Sequence, residues 1–287
     1  MNRFLNLGLS IVCGLLTATG FGIADFAAKL STNRIGFLQT ALSVQLIGSF
    51  FVLPFALRDA HRVLINPWIT LVAILLGVVN AVGTLFLYKG FEIGRLSIVS
   101  PIASTAPVVA ILLAITFLGE IVTSQILVGI SLVMVGIMLV SLQTAQGDVS
   151  QQVARGTAYA VGFMLFGGLL LFGLKPVTSV LGVFLPVLIL RLVGIPVLAV
   201  PFFSRSRGGS RAFRLVLPVA FFDTFANVAY TLGVSLGTVT IVSPVGGMFS
   251  AITVLLAWAF LKEKPSRHQI IGFVAILVGV ATLGAFG

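Results

Sequence analysis

The chain has 287 residues, 59% of them apolar and 8% charged, with a mean hydropathy of +1.19 and a net charge of +10. Such a composition excludes a domain that dissolves in water. The seventeen basic residues are scattered through short polar segments instead of forming one basic face, so no nucleic-acid partner is expected.

A helix that crosses a bilayer needs about 20 apolar residues. The first such run, Leu7–Leu30, is too long for a signal-peptide core and has no soluble domain behind it, so it reads as a first span. It carries the chain's one cysteine, Cys13, which rules out an intrachain disulfide and a cysteine-based metal site. Further runs follow at Phe37–Leu57, Trp68–Tyr88, Ser97–Leu118 and Ser124–Leu142, and then at Thr157–Leu174, Val180–Phe203, Leu215–Leu236, Val239–Leu261 and Gln269–Phe286. The expected fold is therefore all-α, with ten transmembrane helices and no soluble domain. The chain is expected to be a multi-pass protein of the plasma or inner membrane.

The string Ile98-Val99-Ser100-Pro101 recurs as Ile241-Val242-Ser243-Pro244, 143 residues later. At the same offset Gly90 meets Gly233, Gly94 meets Gly237, Glu120 meets Glu263, Gly129 meets Gly272 and Gly136 meets Gly279. The earlier spans match at an offset of 146, with Lys29 on Lys175 and Gln45 on Arg191. Residues 1–142 thus form one five-helix repeat and 156–287 a second, joined by the polar loop 143–155 within a single membrane domain. Five spans per repeat is an odd number, so the second repeat enters the membrane from the opposite side. Inverted repeats of this kind are the plan of secondary transporters, with the site near the midplane between the repeats.

The ten-span duplicated plan comes with the Gly22-x-x-x-Phe26-x-x-Lys29 end of span one, the Ser-Pro entries to spans four and nine, and Glu120 and Glu263 closing those spans. Together these features resemble the EamA-type branch of the drug/metabolite transporter superfamily. The resemblance covers almost the whole chain and implies an exporter of small metabolites, such as amino acids or related compounds, or of drugs. It implies alternating access around a central cavity. One departure is visible: the second copy flanks Lys175 with Gly173 and Pro176 and has no equivalent of Asp25.

Ionisable groups at membrane depth are costly and point to function. Asp25, Asp223 and Glu92 are the acids within or near that depth, while Asp59, Glu120, Asp148 and Glu263 fall at span ends or in loops. Asp25 and Lys29 are four residues apart and share a helix face on which they can pair, or Lys29 can snorkel to the interface. In span eight, Asp223, Asn227 and Tyr230 make one polar stripe; in span three, Asn80 and Thr84 occupy the equivalent positions and Tyr88 extends that face. These stripes serve either as interhelical hydrogen-bonding contacts or, the preferred reading, as a cavity lining. Ser100 and Ser104 in span four, with Ser243 and Ser250 in span nine, complete the expected substrate-binding set.

Pro101 and Pro244 cannot donate to the carbonyls four residues back and are the expected helix breaks, unless they stand at the first helical position behind capping serines. Arg191 needs a buried partner, Asp223 or another group, and a pairing with Asp223 would remove that residue as a proton carrier. The paired glycines of spans five and ten predict close packing, within the chain or across a dimer, so a monomer or a homodimer is compatible with the sequence.

Both histidines, His61 and His268, lie in loops, and no nucleophile, metal cluster or phosphate loop stands at catalytic spacing. The chain is expected not to be an enzyme and to need no cofactor or metal. Its partners are a small-molecule substrate and the lipid bilayer. The alternative function is a passive facilitator or channel for small solutes, although no charge ring or carbonyl filter is legible. For proton coupling Asp223 is the favoured carrier, since no lysine or arginine lies within two turns, whereas Lys29 should keep Asp25 ionised. The positive-inside rule puts the termini outside the cell, and the habit of the resembled family puts them inside.

Overall fold

The computed structural model describes residues 2–94, 96–141, 150–205, 213–261 and 267–286. Among the described residues all regular structure is helical, as a bilayer requires of a chain that must satisfy its backbone polar groups internally. The helices are α1 (Asn2–Ile35), α2 (Phe37–Ala56), α3 (His61–Ile65), α4 (Pro67–Ile93), α5 (Leu96–Ala103), α6 (Ala106–Leu118) and α7 (Ser124–Ser141), then α8 (Ser150–Leu181), α9 (Phe184–Arg205), α10 (Phe213–Leu236), α11 (Val239–Gly246), α12 (Phe249–Leu261) and α13 (Arg267–Phe286). By length and composition five described stretches can cross a membrane: Leu5–Ile35, Phe37–Asp59, Pro67–Ile93, Gly156–Leu181 and Arg214–Leu236. Shorter apolar helices run over Ala106–Leu118, Ser124–Leu139, Phe184–Val200, Val239–Thr253 and Ile270–Leu283.

Several boundaries differ from those read in the sequence. Helix α8 starts at Ser150, inside the expected loop, and runs through Pro176 to Leu181, where Gly182 takes φ 83 and ends it. Gly119 closes α6 in the same left-handed region, which a side chain strains to adopt. Spans four and nine are each two half-helices. The interruptions fall at Ser104–Thr105 and Gly247–Met248, after Pro101 and Pro244 and not at them. Proline removes one hydrogen bond and crowds the carbonyl four residues back, yet Pro244 lies inside α11. In span four the chain restarts with Pro107 in the first turn of α6, where a missing donor costs nothing.

The side chains are sorted as lipid demands. Large apolar residues such as Phe50, Trp68 and Leu277 stay exposed, whereas Asp25, Gln45, Arg191 and Asn227 are buried. The repeats meet most extensively along α1 with α10, α7 with α13 and α4 with α8; α2 also meets α9, where the equivalent residues Gln45 and Arg191 touch each other, Arg191 Nη1 donating to Gln45 Oε1 at 3.0 Å. Gly48 and Gly194 stand beside them. A Cβ at Gly48 would lie 2.5 Å from Thr224 Oγ1, and one at Gly194 would lie 2.9 Å from the Gln45 side chain, so each glycine makes room at the crossing. Helices α7 and α13 pack just as closely within the chain: Gly129 faces Gly279 and Gly136 faces Gly272, with the carbonyl of Gly272 2.7 Å from where a Cβ on Gly136 would sit.

Candidate functional site

A cavity lies between the repeats. Its wall comes from α1 (Thr17, Phe21, Asp25), α4 (Asn80, Thr84, Leu87, Tyr88), α6 (Ala106, Pro107), α8 (Phe163, Gly167, Leu170, Leu171), α10 (Asp223, Asn227, Tyr230) and the α11–α12 region (Ser243, Gly246, Gly247, Phe249). Of the residues singled out in the sequence, Asp25, Asn80, Thr84, Tyr88, Asp223, Asn227, Tyr230 and Ser243 are brought together here. Ser100, Ser104 and Ser250 are buried outside this lining, and the Ser100 hydroxyl has no hydrogen-bond partner. The apolar share of the wall escaped the sequence reading. Thr17 and Phe21 stand two turns and one turn before Asp25, a spacing that carried the signal for that face.

The electrostatics reverse the expected pairings. Asp223 is not free: it forms a salt bridge with Arg191, whose side chain is 4% exposed against 20% for Asp223, and Asn227 Nδ2 donates to the Asp223 carbonyl at 2.8 Å. The partner comes from α9, which no local sequence window reveals. Asp25, for its part, does not pair with Lys29. Lys29 Nζ donates to the carbonyls of Phe91 and, at 3.1 Å, Gly94, because the C-terminal end of α4 presents unsatisfied oxygens and negative dipole. Asp25 is left 5% exposed, with Oδ2 buried and unpartnered.

Lys175 performs the equivalent task for α10, donating to Val234 at 2.5 Å and Gly237 at 2.6 Å. The lysine function is therefore duplicated even though the aspartate is not. Glu120 adds to this closure. Its two oxygens accept the N–H groups of Val239 at 2.8 Å and Thr240 at 2.9 Å, which caps the start of α11. Its repeat partner Glu263 lies outside the described residues, as do Arg95, Asp148, Arg207, Arg211, Lys262 and Lys264. Glu92, near the end of α4, pairs with Lys89 at 2.5 Å.

Neither serine is an N-cap. Thr238 precedes α11, while Ser243 shares a 2.8 Å hydrogen bond with Tyr230, whose hydroxyl also donates to Leu171 at 2.9 Å. That bond joins α8, α10 and α11 at the cavity wall. Among the described residues no lysine or arginine lines the cavity, and no group of histidine, cysteine and acidic residues could hold a metal ion.

A solved structure, described only as a protein crystal structure, superposes with a TM-score of 0.74 over 95% of each chain at 16% identity, which establishes likeness of fold. An uncharacterized protein of Methanocaldococcus jannaschii is 32% identical over 133 residues, 46% of this chain and 96% of that one. A probable terminal-alkyne amino-acid exporter of Streptantibioticus cattleyicolor is also 32% identical, over 134 residues that span 45% of this chain and 44% of the exporter. The profile of the EamA-like transporter family matches twice, over residues 8–142 and 154–285. With both repeats matched and the helices apolar enough to span a bilayer, the chain is a multi-pass cell-membrane protein that belongs to the EamA-like transporter family.

Proposed function

We propose that the chain is a secondary active exporter of small metabolites, amino acids or related compounds and drugs among them, working by alternating access and driven by protons. The observation that carries this reading is the cavity itself, which is built at the interface of two equivalent repeats from corresponding spans of both. The direction of transport rests on likeness to the probable exporter.

Alternating access is supported by an asymmetry between the repeats. Val245, Met248 and Ala251 are 0%, 8% and 1% exposed, whereas their equivalents Ile102 and Thr105 are half-buried and Val108 is 38% exposed. One half-helix pair is packed shut and the other is looser, as expected of a carrier in one of two related states.

For the coupling proton we place Asp25 ahead of Asp223. The Arg191 guanidinium compensates Asp223, and Lys29 is spent on α4, so Asp25 is the cavity carboxylate without a cation. The charged and titratable groups around it are Asp223 and Tyr88 across the cavity and Lys29 one turn along α1. Proteoliposomes with an imposed pH gradient test this. Gradient-driven counter-movement of substrate is expected from the native protein and is lost in Asp25→Asn. Movement that ignores the gradient would instead establish a passive facilitator.

A further inference from the structure

The cavity carries a charge imbalance. Two carboxylates reach it, and only one has a buried cation to answer it. Asp25 has no hydrogen bond to Oδ2 and only 5% of its surface exposed. A carboxylate placed this way in a low-dielectric wall does not readily hold a charge alone; a cation arriving beside it supplies the missing partner for the ionised form, whereas a second anion adds repulsion. The wall one turn away is aromatic. Phe21 meets Phe249 edge to face with ring centroids 6.2 Å apart, and aromatic faces of this kind attract cations and pack apolar groups.

We infer that Asp25 is the recognition site for the ammonium group of the transported compound. The cavity selects amines with a compact apolar or aromatic body, and it requires no carboxylate on them. This deepens the export reading above and rests on it. Among the described residues no lysine or arginine lines the cavity to receive an anion: Arg191 is not part of the lining and its Nη1 and Nη2 bond to Gln45 and Asp223, and Lys29 and Lys175 bond to backbone carbonyls. The polar groups Asn80, Thr84 and Asn227 are neutral and serve the remaining hydrogen bonds of either class of compound.

Titration calorimetry on the full-length protein in detergent tests this without interference from passive leak of amines. The probes are two matched triplets: phenethylamine, phenylalanine and 3-phenylpropionate, and isoamylamine, leucine and 4-methylpentanoate. The amines and amino acids are expected to bind and the acids not. Asp25→Asn should weaken amine binding at least tenfold, with an unchanged gel-filtration profile, and Asp25→Glu should retain binding within about threefold. Acids binding as tightly as amines, or amine affinity unmoved in Asp25→Asn, would overturn the inference and leave the transport reading intact. Binding of none of the six compounds would also overturn the inference, and the gradient assay above then decides the transport reading separately.

Discussion

Replacing Asp223 by asparagine removes the one carboxylate that answers Arg191. The Arg191 side chain is 4% exposed and keeps a second bond, at 3.0 Å, to Gln45. Removing one member of a buried ion pair costs about 3–5 kcal/mol, mostly because the other charge is stranded. Asp223 is 20% exposed and Gln45 still accepts from the guanidinium, so the loss belongs at the low end, about 3 kcal/mol, or roughly 150-fold in the folding equilibrium. Arg191→Gln strands the carboxylate instead and should lose a similar amount. The double variant Arg191→Gln with Asp223→Asn strands nothing and should recover more than half of either loss, a coupling that independent sites do not show. Reversible unfolding in mixed micelles, titrated with a denaturing detergent, measures all four proteins. The reasoning fails if Asp223→Asn unfolds with the native protein, or if the losses of the single variants simply add.

Glu120→Ala removes two backbone hydrogen bonds to a carboxylate and should cost about 2–3 kcal/mol at the start of α11; hydrogen exchange of Val239 and Thr240 should quicken at least tenfold, and unchanged exchange refutes the cap. Lys29→Met and Lys175→Met should destabilise to nearly the same extent, about 2 kcal/mol each, since both lysines hold equivalent carbonyls; unequal melting temperatures would show that the repeats use them differently. Gly136→Val pushes a branched Cβ against the carbonyl of Gly272 and should force α7 and α13 apart at a cost of about 3 kcal/mol, read as earlier thermal aggregation than in Gly136→Ala.

The spans, the duplication and the stripes of α4 and α10 were legible in the sequence because each depends on local or periodic information: apolar run length, a fixed offset, and residues three or four apart on one helix. Eight polar residues chosen on that basis share one cavity wall. The pairings were not legible, since a charge chooses its partner by proximity in space. Lys29 lies one turn from Asp25 on α1, yet it bonds to α4, whose terminal carbonyls are the stronger attraction. Asp223 meets Arg191 from a helix 32 residues away in the chain. The position of the half-helix interruptions was likewise decided by packing, since a proline removes one donor and leaves the neighbouring helices to determine where the backbone gives way. Tertiary structure therefore set the surroundings of the two aspartates: α9 brings the Arg191 guanidinium to Asp223 within the second repeat, while Asp25 is buried at the same cavity wall without a cation.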